Sequence, residues 1–150
     1  MTLDRRALGH ILGKVYSLSF GLNFIWEMLQ MPLFRGLDWS PATWALCAAA
    51  SLGDAAFSAA AYAVLALKHG DAGWVCGRDA RDVILVIVAG FLTAAAGEWL
   101  ARALGWWAYS PLMPLVPGIE VGVVPLVQLA VLTVVTFELV RRFGPCSQRL

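Results

Sequence analysis

Apolar residues run along this chain in four long blocks, each interrupted only by isolated polar positions. Crossing the hydrocarbon of a bilayer takes about 20 mainly apolar residues in a helix. The stretches 11–33, 43–67, 83–104 and 121–140 all reach that length. Between them lie short connections, 35–41, 68–82 and 105–120, that carry the turn formers Gly36, Pro41, Gly70, Gly73, Gly77, Gly105 and Gly118. The pattern predicts an all-α fold: an integral membrane four-helix bundle forming a single domain over 1–150. Before the fourth span, Pro111, Pro114 and Pro117 break up an otherwise apolar run. Proline cannot sit inside a regular helix without losing a hydrogen bond. A re-entrant or interfacial segment is therefore expected there, buried in protein or lining a cavity.

Composition sharpens this picture. Of 150 residues, 60% are hydrophobic and 14% charged, against about 45–50% and about 25% in soluble domains. A soluble globule this small could not hide so much apolar surface. A formal net charge of +1 leaves no basic surplus for neutralising phosphates, so nucleic acid is not an expected partner. Arg5 and Arg6 precede a stretch long enough to span and no cleavage pattern follows, so a removable signal is not expected.

Charge also orients the spans. Arg5, Arg6, Lys68, Arg78, Arg81, Arg141, Arg142 and Arg149 fall on one side, and only Arg35 and Arg102 on the other. The positive-inside rule then puts both termini in the cytoplasm. Trp39, Trp44, Trp99, Trp106, Trp107 and Tyr109 gather at the opposite, outer interface. Cys47, Cys76 and Cys146 form no CxxC pair and no metal-ligand spacing with His10 or His69. Three reduced thiols are the expectation; no metal site or cofactor is expected, and the histidines read as ordinary interfacial residues.

Ionisable groups at membrane depth are costly and ask for a reason. Asn23, Glu27 and Gln30 stack on one face of the first span, at i, i+4 and i+7. Asp54 lies mid-way along the second, with Ser51 and Ser58 on its stripe. Glu98 lies in the outer half of the third, with Arg102 at i+4 as its expected partner. The fourth begins with Glu120 and carries Gln128 two turns deeper, whereas Glu138 is expected to pair with Arg141 or Arg142. Such groups can be packing glue, worth about 0.6 kcal/mol each on average. Carboxyls clustered in a dry pocket do more than glue requires, because mutual repulsion keeps one of them protonated beside an ionised neighbour. That is the donor–acceptor arrangement of general acid–base chemistry. Trp106, Trp107, Tyr109 and Met113 would wall such a pocket with ring faces that attract developing positive charge.

The run NFIWEMLQMPLF at 23–34, with the later GEW…GWWAYSPLMP…VGVVPLVQL, resembles a family of small bacterial polytopic membrane proteins with no assigned function. The Asn-x-x-Trp-Glu pattern of Asn23, Trp26 and Glu27 is distantly similar to membrane-embedded terpene cyclases. The series Glu98, Gly105, Trp107, Tyr109, Gly122, Pro125 is similar to carotenoid-pathway membrane proteins. These resemblances imply a bacterial inner-membrane location and intramembrane carboxyls that protonate an isoprenoid and later take a proton back. The chain departs from those cyclases in having fewer spans and no paired-Glu motif. Three functions follow as expectations. In the first, an isomerase or cyclase acts on an isoprenoid- or sterol-like membrane lipid. Glu27 and Glu98 serve it as acid and base, Glu120 tunes them, and Asp54 completes the catalytic set. Asn23, Trp26, Gln30, Trp99, Trp107, Tyr109 and Gln128 bind the substrate. The second is a proton-coupled carrier or channel working as a homo-oligomer through Asp54 and Glu27. The third is an accessory subunit whose polar groups only pack helices.

Overall fold

A computed structural model describes residues 3–144 and 146. Within them the chain forms four long helices: α1 (Arg5–Gln30), α2 (Pro41–His69), α3 (Ala80–Ala103) and α4 (Val123–Phe143). Single 3-10 turns at Met31–Leu33 and Trp74–Gly77 follow α1 and α2. Each of the first three helices starts on a side-chain cap. Asp4 accepts from the Arg6 and Ala7 amides, Ser40 accepts from Thr43, and Asp79 forms a capping box with Asp82. Ahead of α2, hydrogen bonds from the Ser40 hydroxyl and backbone hold the Asp38 carboxyl below its ordinary range. α2 ends at Gly70, whose φ of 63° is a left-handed conformation that a side chain would strain.

α2, α3 and α4 are long and apolar enough to cross a membrane. α1 is equally long, about 39 Å at 1.5 Å per residue, but Lys14, Asn23, Glu27 and Gln30 dilute its hydropathy. Of the four spans expected from the sequence, three helices have the length and hydropathy of a membrane crossing, and α1 differs in carrying a polar face. That face is turned inward: Ser19, Asn23 and Gln30 are buried.

α1 packs along α2, α3 packs along α4, and contacts between α1 and α4 join the two pairs. α2 and α3 have no comparable contact. The α3–α4 approach depends on Gly90, where a Cβ would lie 2.8 Å from the Ala130 Cα. The rest of α3 is largely uncovered, with Ile84, Leu85, Val88, Leu92 and Leu100 exposed.

The end at which α1 begins and α4 finishes holds a buried apolar core. Tyr62, Trp74 and Phe137 pack ring against ring, and Trp74 also stacks on His69. The Tyr62 hydroxyl donates to the Ala72 carbonyl at 2.9 Å, and the Trp74 indole to the Tyr62 carbonyl at 3.2 Å. The fully buried Asp82 takes Lys68 at 2.6 Å and His69 at 3.0 Å. Glu138 pairs with Arg141 and Arg142, as expected, and also with Arg78 at 2.7 Å. The three-thiol expectation is corrected: Cys76 and Cys146 form a disulfide, and only Cys47 is free. The turn after α2 and the chain leaving α4 both pack onto the aromatic cluster, which brings together two cysteines 70 residues apart. Spacing along the chain carries no trace of that proximity.

Replacing Gly90 by Leu should force α3 away from α4. The expected cost is about 1–3 kcal/mol, typical of overpacking, read as a lowered midpoint of thermal unfolding in detergent. Gly97→Leu is the control, because nothing lies within 4 Å of a Cβ there.

Candidate functional site

The polar residues singled out in the sequence converge on the half of the molecule away from the termini, and Gln128 of α4 is their hub. Its Nε2 lies 3.1 Å from Asn23 Oδ1, 2.9 Å from Glu27 Oε1 and 3.2 Å from Asp54 Oδ2. Its Oε1 accepts from Gln30 Nε2 at 2.9 Å. One amide thereby ties α1, α2 and α4 together. A carboxamide has only two hydrogens to donate, so three acceptors around Nε2 leave the hub one hydrogen short. The geometry accommodates a proton on Glu27 or Asp54.

The network continues toward the termini through Asn23, which donates to the Ser19 carbonyl at 2.9 Å. Ser19, Ser58 and Thr133 follow, linked at 2.8 and 2.9 Å. Ser19 lies one turn from Asn23 on the same face, so periodicity could have found it. Thr133 lies on another helix, and no spacing rule connects it to the rest.

Glu98 reaches the site by a different route. Its Oε2 accepts from the Tyr109 hydroxyl and, at 3.2 Å, from the Trp107 indole. Both donors come from the proline-bearing segment between α3 and α4. That segment folds back and is pinned to the chain leaving α1. Arg35 N donates to the Ala108 carbonyl at 2.8 Å and Ser110 N to the Leu33 carbonyl at 2.9 Å, with an isolated bridge between Phe34 and Tyr109. Gly122 N donates to the Tyr109 hydroxyl at 3.0 Å, which brings the segment's end back beside its start. Burial, together with the Glu98 hydrogen bond, keeps the Tyr109 phenol well above its ordinary range. Tyr109 therefore remains a donor throughout the physiological pH range.

Between α2 and α3, where the helices do not pack, lies a cavity of about 360 Å³. Glu27, Asp54, Glu98 and Gln128 all line it, one from each helix. Phe34, Phe57, Trp106 and Trp107 contribute aromatic walls, and Ala50, Gly53, Ala94 and Gly97 keep the sides smooth. Small-molecule pockets run from about 300 to about 1,000 Å³, so this one takes a ring or a chain end rather than a whole lipid. Among the described residues, no group of three His, Cys, Asp or Glu side chains could hold a metal ion.

Not every expected residue arrives. Glu120 is exposed on the connecting segment, with φ of 52°, and does not line the cavity. Its backbone carbonyl accepts from Arg102. Arg102 does not pair with Glu98 as the i+4 spacing suggested; its guanidinium sits over the Tyr109 ring, 4.7 Å from the centroid. The donors Tyr109 and Trp107 have taken Glu98 instead. Trp99 is exposed on the other side of α3 from Glu98. Trp26 does not line the cavity, and its buried Nε1 has no partner among the described residues. Asp54 does arrive, joined to Glu27 through Gln128.

No family model, curated protein or solved structure matches the chain.

Gln128→Leu should strip a partner from Gln30, Asn23, Glu27 and Asp54 at once. The unsatisfied groups are expected to cost about 1–3 kcal/mol each, read by chemical or thermal unfolding in detergent. Thr133→Val, at the far end of the network, should cost less than half as much.

Proposed function

We propose that this chain is a multi-pass protein of the bacterial inner membrane, a bundle of four spanning helices with α1 turning its polar face inward. Its cavity would perform acid–base isomerisation or cyclisation of an isoprenoid- or sterol-like membrane lipid. The observation that carries this reading is the convergence of Glu27, Asp54 and Glu98 on one aromatic-walled cavity between two apolar helices that do not pack together. A carboxylic acid donates a proton to a carbon–carbon double bond, leaving a carbocation. A second carboxylate then removes a proton from a neighbouring carbon, so one proton enters and one leaves. Glu27 and Glu98 exchange these roles, Gln128 and Tyr109 orient them, and the faces of Trp106 and Trp107 stabilise the cation between the two steps. The distant cyclase-like patterns around Glu27 and Glu98 support the same assignment.

Glu27→Gln and Glu98→Gln should each abolish turnover while leaving the fold intact; unchanged turnover in either removes that residue from the mechanism. Mass spectrometry of the organic extract of purified protein should show a stoichiometric isoprenoid or sterol-like species, lost in Trp107→Ala. An extract holding only bulk phospholipid would favour an accessory subunit whose polar groups merely pack helices.

A second reading draws on the unbroken polar chain from Asp54 and Glu27 through Gln128, Asn23, Ser19 and Ser58 to Thr133. Such a chain suits a proton-coupled carrier, working as a homo-oligomer because four helices leave little room for a pore. It requires pH-dependent flux in liposomes that Asp54→Asn removes.

Orientation rests on two opposed cues. The basic asymmetry favours termini in the cytoplasm, whereas the Cys76–Cys146 disulfide at that same end favours an oxidising compartment. We give the charge more weight, since it sums over eight residues. Fusions at the C-terminus read the answer without the cysteines: cytoplasmic termini require a fluorescent GFP fusion and an inactive alkaline phosphatase fusion, and the opposite pair would reverse the orientation.

A further inference from the structure

Only two basic residues, Arg35 and Arg102, break the charge asymmetry that gathers the others at the far end. They lie 67 residues apart in the chain, on the connection after α1 and at the end of α3, yet they line one groove of about 740 Å³. Among the described residues neither has a carboxylate within ion-pair distance. Glu120 lines the same groove, but it engages Arg102 through its backbone carbonyl. The remaining walls are amphipathic, with Trp99, Leu115 and Ile119 beside the two guanidinium groups.

The groove and the carboxyl cavity share a wall. Trp107 lines both, and α3 presents Glu98 and Ala101 to the cavity but Trp99 and Arg102 to the groove. Tyr109 links them: its hydroxyl bonds Glu98 while its ring lies under Arg102. We propose that this groove binds the phosphate-ester head of a single-chain amphiphile, with Arg35 and Arg102 on the phosphate and the apolar chain running along Trp107 toward the cavity. Two guanidinium forks match a dianionic phosphate monoester, since arginine recognises phosphate oxygens through paired, geometrically fixed donors. The placement of the chain rests on the proposed use of the cavity; the recognition of the head group does not.

The test is binding to protein in nanodiscs of zwitterionic lipid, followed by tryptophan fluorescence, with dodecyl phosphate, dodecanol and inorganic phosphate as probes. Dodecyl phosphate should bind at least tenfold more tightly than either of the others. Arg35→Gln and Arg102→Gln should each weaken it about tenfold or more, whereas Arg78→Gln, at the opposite end, should leave it unchanged. Arg35 is exposed and its side chain makes no hydrogen bond among the described residues, so its variant remains informative even if Arg102→Gln disturbs the Glu120 turn. Equal binding of dodecanol, or equal loss in Arg78→Gln, overturns the head-group site. Inorganic phosphate binding as tightly as the ester overturns the amphiphile and leaves a free-phosphate site. Glu98→Gln should retain dodecyl phosphate binding, so loss of turnover in that variant concerns the cavity chemistry and not the groove.

Discussion

A polar group taken out of water must find its hydrogen bonds inside the protein, and the Gln128 amide is where this chain meets that demand. Helices of this apolarity have little else to fix their rotation about their own axes, because one greasy side chain packs about as well as another. Gln128 removes the freedom. Its oxygen holds Gln30 and its nitrogen faces Asn23, Glu27 and Asp54, so one amide sets the faces that α1, α2 and α4 turn toward each other. Ser19, Ser58 and Thr133 repeat the constraint one layer further toward the termini. Beyond them the buried ring cluster of Tyr62, Trp74 and Phe137 takes over.

α3 stands outside this network. It packs along α4, most closely at Gly90, and near its C-terminal end the connecting segment delivers Tyr109 and Trp107 to Glu98. The cavity is a consequence of that difference. Three helices share the Gln128 amide while α3 packs along α4 and has no comparable packing on α2, leaving a gap that Glu98 and Gln128 both line. Strong packing of α2 on α3 would have closed the gap and removed the site. The proposed chemistry therefore depends on a place where the fold is left unfinished, walled by aromatic rings instead of filled by aliphatic side chains.

The connecting segment illustrates how the same residues serve both structure and chemistry. Its prolines keep it out of a helix, which frees its amides and carbonyls to pair with the chain leaving α1. That pairing sets Tyr109 between Glu98 and Arg102, so one side chain touches a carboxyl on one side and a guanidinium on the other. The i+4 spacing of Glu98 and Arg102 had suggested a direct ion pair. The structure places a phenol between them instead, and each charged group is left facing a different compartment of the molecule.

Periodicity and composition alone determined the helical class, the approximate limits of the four helices and the clustering of Asn23, Glu27 and Gln30 on one face, because these depend on local spacing and on residue type. The proline signal likewise marked the irregular segment, since the missing amide acts wherever the residue sits. Tertiary structure decided which of the polar groups meet. Asp54 joins Glu27 only through a glutamine 74 residues further on, Glu120 and Trp99 turn away from the site, and Cys76 finds Cys146 across the whole of α3 and α4. Contacts of that range are set by helix rotation and by the path of one loop, and neither leaves a period in the sequence to be read.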